Sequence, residues 1–231
     1  MIQQLEQYML TDENLNELNK DFMVSKNNKI PEKTFTKENS TSNFFTPKEK
    51  DTLFWCYYYI LFGNKDETFN KTNSVFKIEK DFKIDMISKI RENTGALKVN
   101  KLNIENVESV LANEECIDLE TLKAMCLVLN RNIIYIKNRT YYHFEFGQGE
   151  FEIIFNDKGK HKVVLDDTSK YLKKIETYYL ITNIKKPIGV FSSYKLNDLQ
   201  DIASRLEIPI ELNDKKKQKK ILYNEIIEVI I

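Results

Sequence analysis

The chain has 231 residues, of which 42% are hydrophobic, 30% are charged and 12% are aromatic. This composition excludes wholesale disorder, and the length suits one domain with a substantial core plus a smaller unit. The formal net charge is zero. The surface as a whole is therefore not built to attract polyanions, and any contact with nucleic acid or a membrane must come from a local patch.

The cysteines and the apolar runs indicate the cellular compartment. Cys56, Cys116 and Cys126 are odd in number and lack C-x-x-C spacing, which favours a reducing compartment over a disulfide framework. The first ten residues lack the basic start and the continuous apolar core of a signal peptide, and no apolar run reaches the roughly 18 residues of a transmembrane helix. We therefore expect a soluble intracellular protein without membrane contact.

The first 43 residues combine one short helical pattern with a polar stretch. Ile2, Leu5, Met9 and Leu10 lie near helical spacing, and residues 24–43 are rich in Lys, Asn, Ser and Thr. An isolated helix of this length is marginal in water, and such a polar stretch is typical of a linker. Residues 1–43 are therefore predicted to form an N-terminal helix and an extended arm.

Helical patterns dominate residues 46–130. Thr46-Pro47-Lys48-Glu49 matches a capping box with Pro at the first helical position, and predicts a helix that runs to about Phe62 and ends at Gly63. This helix is apolar almost all round, so we expect it to be buried on most sides. Further helices are predicted at residues 81–92, ended by Thr94-Gly95, at residues 104–112, and from the N-cap Asp118 to Asn130.

After Asn130 the hydrophobic period changes to that of strands. The segments are NIIYI, TYYHFEF, EFEIIF, HKVVL and TYYLIT, separated by Asn-Arg, Gly-Gln-Gly and Asp-Lys-Gly turn signals. Alternation around Tyr142 and Phe144 indicates one sheet face against the helices and one face partly in solvent. The sequence therefore predicts an α+β core domain over residues 44–188, with a helical first half packed on an antiparallel sheet.

Residues 192–231 have a different pattern. Leu196, Leu199, Ile202, Ala203 and Leu206 form one helical face, and Ile221, Leu222, Ile226 and Ile227 form a second. Ile208-Pro209-Ile210 breaks the helix between them. The stretch therefore predicts a small helix–extended–helix module, and its linker carries five lysines: Lys215, Lys216, Lys217, Lys219 and Lys220.

Most enzyme classes lack their usual signals in this sequence. With only His143 and His161, a multi-histidine metal site is excluded, and Cys/His clusters at metal-ligand spacing are absent. There is no Gly-rich phosphate loop, no Walker lysine and no G-x-S-x-G elbow. We expect no metal and no small-molecule cofactor. One catalytic hypothesis remains, in which Cys56 is a nucleophile activated near a helix N-terminus and His143 is its base.

The order of elements loosely resembles the ovarian-tumour class of papain-like cysteine proteases, in which a D-G-x-C motif begins the helix and a His lies on a late strand. Here Asp51 precedes Thr52 and Leu53, Phe54 occupies the nucleophile position, and Cys56 follows two residues later. The resemblance implies a papain-like peptidase or deubiquitinase, active or degenerate. The alternative is that Cys56 is a small buried hydrophobe and His143 a sheet-surface residue.

The segment YKLNDLQDIASRLEIPIELNDKKKQKKILYNEII resembles the SAP family of helix–extended–helix modules, which commonly bind DNA. Leu196, Leu199 and Ile202 match the apolar positions of the first helix, and Leu206 with Ile208 match the mid-motif pair. The glycine that the family usually has before the second of these is Glu207 here.

This resemblance implies non-specific contacts with DNA phosphates, made by the five lysines and Lys195. Residues 192–231 contain seven basic and seven acidic side chains, so the module is only locally basic. The alternative is a solvated charge run that joins two helices docked on the core domain or on another protein.

The chain is also similar to conserved proteins of the nucleocytoplasmic large DNA viruses. The segments that carry this similarity are FFTPKEKDTLFWCYYYILFG, FKIEKDFKIDMISKIREN and ANEECIDLETLKAMCLVLNRNIIYIKNRTYYHFEF. We predict a non-catalytic viral binding protein, a virion or DNA-transaction accessory factor that contacts DNA or another viral protein. The alternatives are the peptidase and a structural minor capsid or polymerase-associated subunit. The predicted location is the viral factory in the host cytoplasm or the nucleus, and the virion.

Overall fold

The computed structural model describes residues 44–63, 75–166, 168–212 and 215–230, without the side chain of Leu212. The predicted N-terminal helix and arm at residues 1–43 lie outside the described residues. All the described residues belong to one unit that spans residues 42–231. Within them, no helix is long and apolar enough to cross a membrane.

The described part of the chain contains eight helices and two sheets, which confirms the predicted α+β class. The helices are α1 Thr52–Phe62, α2 Val75–Glu92, α3 Thr94–Val99, α4 Ile104–Asn113, α5 Leu119–Val128, α6 Thr168–Ile175, α7 Leu196–Arg205 and α8 Lys219–Ile230. The strands are β1 Phe44–Phe45, β2 Ile133–Lys137, β3 Thr140–Phe144, β4 Glu152–Asp157, β5 Lys160–Val164, β6 Tyr179–Leu180, β7 Glu211–Leu212 and β8 Lys215–Lys216.

The main sheet is mixed, which corrects the prediction that it is antiparallel. Its strand order is β1-β5-β4-β2-β3-β6, and the pairs β2–β4 and β3–β6 are parallel. Tight turns with left-handed φ at Asn138 and at Lys158-Gly159 close the hairpins β2–β3 and β4–β5. Local turn signals specify hairpins, but they do not specify on which side of β2 the next strand is added.

The parallel pairing depends on a loop that crosses the beginning of β2. Phe144 at the end of β3 and Glu152 at the start of β4 both pair with Ile133, so the intervening loop passes from one side of β2 to the other. Buried Asn132 holds this loop: its amide donates to the carbonyls of Gly147 and Gly149, and its Oδ1 accepts from the backbone N–H of Gly147. A Cβ at Gly147 would lie 2.1 Å from the Asn130 carbonyl oxygen, so a larger residue would displace the loop.

Both faces of the sheet are covered over its central strands. One face packs against the helices in a large hydrophobic cluster that includes Tyr135, Tyr142 and Phe144. The opposite face carries Ile134, Ile136, Ile153 and Val164, and it packs against Ile175 of α6 and the adjacent Tyr178 in a second cluster. The predicted solvent-facing side therefore exists only toward the sheet edge, where His143 of β3 is exposed.

Helix α1 begins later than the capping box predicts. Its N-cap is Asp51, whose carboxylate accepts from the backbone N–H of Phe54 at 3.0 Å, and residues 46–51 are not helical. The capping box predicts Thr46 as the cap, but Asp51 forms the tertiary hydrogen bonds, to Lys83 and to the Ile117 backbone N–H, that fix the start of the helix. Gly63 ends the helix as predicted, with φ of 62°.

Two further helix boundaries differ from the pattern. Helix α2 begins at Val75 rather than near residue 81, because Glu79 pairs with Lys83 one turn later and accepts from the indole N–H of Trp55. Thr94-Gly95 was predicted to end helical structure, but Thr94 begins the short helix α3, whose Leu97 is fully buried. In both cases tertiary packing stabilises helix that local pattern does not predict.

A buried ion pair joins α1 to α2. Asp51 and Lys83 have 1% and 7% of their side chains exposed, and their Oδ2 and Nζ atoms lie 3.1 Å apart. The Lys83 ammonium also donates to Glu79 at 2.7 Å, and Asp51 Oδ2 accepts from the Ile117 backbone N–H at 2.9 Å. Each charge is therefore satisfied, as burial requires.

Replacing Lys83 by Met should lower the free energy of unfolding by about 3–5 kcal/mol, because it leaves the Asp51 carboxylate buried without its cation. Trp55, the only tryptophan and 2% exposed, reports urea unfolding by its fluorescence. The matched control is Lys89→Met on the same helix, whose pair with Asp85 is exposed and contributes less than about 1 kcal/mol. Equal effects of the two substitutions would contradict a structural role for the buried pair.

Candidate nucleic-acid interface

The C-terminal residues adopt the predicted helix–extended–helix arrangement, with a short hairpin added. Helices α7 and α8 pack together, and the extended segment between them pairs β7 with β8. The buried residues of this module belong to the same hydrophobic cluster as the core of the α+β domain: Leu199, Ile202, Ala203, Leu206, Leu222, Ile226 and Ile230. The module is therefore packed on the domain, and its remaining surface is what a partner can contact.

Glu207 occupies the position where the SAP family usually has glycine, and it adopts the conformation that glycine favours. Its φ is 59°, and the following Ile208 N–H donates to the Ala203 carbonyl at 2.8 Å, which closes a Schellman turn after α7. The Glu207 carboxylate pairs with Arg139 of the β2–β3 turn at 2.6 Å. The negative charge that Glu207 adds is therefore paired with a cation of the core domain.

Two arginines fix the module to the domain. Arg139 donates from Nε to the Arg205 carbonyl at 2.7 Å, and its guanidinium lies over the Tyr178 ring. Arg205 in turn donates from Nη1 to the carbonyls of Glu176 and Tyr178. Arg205, although exposed, is thus bonded to the core domain, and the other basic side chains of the module are lysines.

The five lysines of the linker are not equivalent. Lys217 is 8% exposed and donates from Nζ to both carboxylate oxygens of Glu225, at 2.9 and 2.7 Å. It is an internal ion pair that joins the hairpin to α8. Lys215, Lys216 and Lys220 are exposed, and Lys219 is partly exposed. Sequence spacing could not show that Lys217 alone is buried and paired, because its partner Glu225 lies eight residues away.

The four remaining lysines of the linker precede α8 or begin it. Lys215 and Lys216 form β8, and Lys219 and Lys220 are the first two residues of the helix, whose first turn contains no acidic residue. Cations at a helix N-terminus oppose the helix dipole by about 0.3–1 kcal/mol each. This end of the module therefore combines lysine charge with the positive end of a helix dipole, both of which favour an anion.

The N-terminus of α7 lies at the same end. Phe191 and Tyr194, just before α7, contact the first turns of α8: the Lys219 ammonium lies 4.3 Å from the Phe191 ring centroid, and both rings contact Tyr223. Lys195, the N-cap of α7, is exposed, and its backbone N–H donates to Asp198 at 2.7 Å. The segment before Lys195 therefore contacts the start of α8, whereas Lys216 lies opposite Glu211 in the hairpin and Lys217 is buried.

The structure does not bring the two candidate catalytic residues together. Cys56 is fully buried in the helix-side cluster, and burial raises the pKa of its thiol, which opposes thiolate formation. His143 pairs with Ile134 in the sheet, points to the opposite face with it, and stacks on Phe151. Among the described residues, no histidine is hydrogen-bonded to Cys56. A base on the far side of the sheet does not reach this sulfur.

The other histidine, His161, lies on the helix side of the sheet in a polar network. Its Nδ1 is 2.7 Å from Thr52 Oγ1 of α1, and its Nε2 is 3.0 Å from the Tyr135 hydroxyl. That hydroxyl accepts from the Asn156 amide at 2.6 Å, which leaves its own proton for Nε2 of a neutral imidazole. The two-residue alternation of His161 with buried Val163 could have assigned His161 to this face.

No group of three or more His, Cys, Asp or Glu side chains that could hold a metal is found in the described ranges. Comparisons of the chain with models of protein families, with curated proteins and with solved structures give no match. The similarities to the SAP family, to ovarian-tumour proteases and to viral proteins therefore stay predictions.

Replacing Arg139 by Met removes the ion pair with Glu207 and the bond to Arg205, and should lower the free energy of unfolding by about 1–2 kcal/mol. Amide hydrogen exchange should show that protection falls in α7 and α8 more than in β2 and β4. Arg91→Met is the control, since its pair with Glu108 leaves the arginine 66% exposed. Equal loss of protection in both variants would contradict the docking role.

Burial lowers the pKa of His161 to about 4, below its value of about 6.5 in an unfolded chain. As pH falls from about 6.5 to 4, the unfolded state binds a proton that the folded state does not, so stability decreases across this window. The expected loss is on the order of 2 kcal/mol after allowance for partial exposure.

The test is urea unfolding between pH 7 and 4. His161→Gln should remove this part of the pH dependence, although it lowers stability at pH 7 by breaking the bonds to Thr52 and Tyr135. The control is His143→Gln, which removes an exposed imidazole from the same sheet. A pH dependence that persists in His161→Gln and disappears in His143→Gln would overturn the assignment.

Proposed function

We propose that the chain is a non-catalytic DNA-binding accessory protein of a large DNA virus, and that it holds the phosphate backbone at the end of its C-terminal module. The observation that carries this proposal is the run of exposed or partly exposed lysines that leads into α8, Lys215, Lys216, Lys219 and Lys220, together with exposed Lys195 at the N-terminus of α7. Within the described residues, none of these five ammonium groups has a carboxylate partner, whereas Lys217 does.

The charge distribution favours a polyanion although the chain is neutral. In the module, Glu225 and Glu207 are occupied by Lys217 and by Arg139 of the core domain. These pairs partly neutralise two acidic side chains that stay at the surface, since Glu207 is 69% and Glu225 33% exposed. A local positive potential of this kind raises the association rate with DNA and the affinity at low salt.

The same surface supports contact without sequence selection. Bidentate readout of guanine uses arginine most often, and that of adenine uses Asn or Gln. The module's arginine, Arg205, is held by backbone carbonyls, and the exposed cations are lysines on flexible stems. Lysines bind phosphates as point charges, which positions a protein on DNA but does not read bases.

Replacing Lys215, Lys216 and Lys220 together by Ala should weaken binding of the full chain to duplex DNA by about tenfold or more at 50 mM salt. Each lost phosphate contact lowers the slope of log affinity against log salt by about 0.9, so the slope should fall by up to about 2.7. Fluorescence anisotropy with one labelled duplex from 50 to 200 mM salt measures both quantities. Lys219 is retained because it packs on Phe191.

The control carries three Ala substitutions at Lys170, Lys173 and Lys174, which are exposed on α6 of the core domain. It removes the same formal charge and should leave affinity and salt slope close to those of the unsubstituted chain. If both triple variants lose affinity equally, binding reflects overall charge and the proposed interface is wrong. If the unsubstituted chain shows no salt-dependent binding, the module serves a protein partner instead.

A further inference from the structure

The core domain has a cleft of about 510 Å³. All the residues that line it precede the C-terminal lysines in the sequence. Three segments line it: the connection from α3 to α4, helix α5, and the chain after β6. Each segment contributes lysine to the wall, and together they supply Lys101, Lys123, Lys185 and Lys186. The volume lies within the range of about 300–1,000 Å³ that small-molecule sites occupy.

Glu120 is the carboxylate in this wall, and its hydrogen-bonding capacity is already used. It is 6% exposed and accepts from the Asn103 backbone N–H at 3.0 Å and from the Asn106 amide at 3.5 Å. The Lys185 ammonium lies 2.9 Å from Glu120 Oε1. Within the described residues, Lys101, Lys123 and Lys186 have no ion-pair partner, so the wall carries a net charge of about +3 after Glu120 is subtracted.

The backbone around these lysines is fixed by local bonds. The Asn183 side chain accepts from the backbone N–H groups of Lys185 and Lys186, at 2.9 and 3.1 Å. Lys101 adopts a left-handed conformation with φ of 58°, and Leu102 after it donates to the Leu97 carbonyl at 3.0 Å. These contacts fix the backbone positions of the lysines. Less conformational entropy is therefore lost when the lysine side chains become ordered around a ligand.

The position of Lys123 indicates a poorly solvated charge. It lies on α5 one turn after buried Glu120, and its side chain is partly buried in the cleft wall. Burial lowers the pKa of its ammonium, and the charge of Glu120 only partly offsets this effect. Gathering like charges in a partly enclosed site costs free energy, which an anion bound between them would recover.

We propose that this cleft binds a small polyanion that carries two or more phosphoryl groups, such as an inorganic polyphosphate or the phosphate chain of a nucleotide. Lys101, Lys123 and Lys186 contact the phosphoryl oxygens, and Asn183 holds the turn that presents Lys186. Lys185 stays paired with Glu120 and closes one side. This site is independent of DNA binding by the C-terminal module and does not rest on it.

Titration calorimetry of the full chain with tripolyphosphate, and separately with a nucleoside triphosphate, tests the proposal at low salt without divalent cations. We expect a Kd below about 1 mM for tripolyphosphate. Lys186→Gln should weaken binding by about tenfold, because a charge-assisted bond is lost. Lys123→Gln should do the same, and Lys186 lies in an exposed segment, so at least one variant keeps the fold.

The matched control is Lys98→Gln, which removes an exposed lysine from α3, just outside the cleft. Its affinity for tripolyphosphate should equal that of the unsubstituted chain. A variant with Ala at Lys215, Lys216 and Lys220 should also retain tripolyphosphate binding. Equal weakening by Lys98→Gln and Lys186→Gln, or no binding by the unsubstituted chain, would overturn the proposal.

Two further comparisons identify the source of the phosphate. Tighter binding of the nucleoside triphosphate than of tripolyphosphate assigns the cleft to a nucleotide, and equal binding assigns it to the phosphate chain alone. If Lys186→Gln weakens binding of duplex DNA and leaves tripolyphosphate binding unchanged, the lysines belong to a DNA footprint and the small-molecule assignment is wrong.

Discussion

The carboxylate of Asp51 joins three separate segments of the core domain. It caps α1 through Phe54, pairs with Lys83 of α2, and accepts from the backbone of Ile117 just before α5. A buried carboxylate requires all of these partners at once, so its position fixes the start of α1 and its register against α2. Thr52, the next residue, then meets His161 of the sheet. Asp51 and Thr52 therefore fix the N-terminus of α1 relative to both α2 and the sheet.

Ion pairs distribute charge unevenly over the surface of the neutral chain. Glu120 is tied to Lys185, Glu225 to Lys217 and Glu207 to Arg139. Each pair occupies a carboxylate with one cation and leaves neighbouring lysines without a partner in the described ranges. Two basic surfaces result, one at the helix N-termini of the C-terminal module and one in the cleft beside α5. The second surface lines a concave cleft, which suits a small polyanion.

The candidate site could be predicted from sequence only in part. The apolar spacing of Leu199, Ile202, Leu222 and Ile226 indicated the two helices of the module, and their lysine linker was evident. The sequence did not indicate that Lys217, unlike its neighbours, is buried in an ion pair. Its partner Glu225 lies on the next element, and an ion pair at that spacing has no local pattern. The cleft was not predicted either, since Lys101, Lys123 and Lys186 are brought together by folding alone.

The sequence by itself determined the α+β class, the strand and hairpin positions after Asn130 and the helix–extended–helix tail, because hydrophobic period and turn residues act locally. Only the tertiary structure decided that Asp51 rather than Thr46 caps α1, that β4 is added to β2 in parallel, and that Cys56 and His143 lie on opposite sides of the sheet. Those outcomes depend on contacts between residues far apart in the chain, whose free energies outweigh local preference.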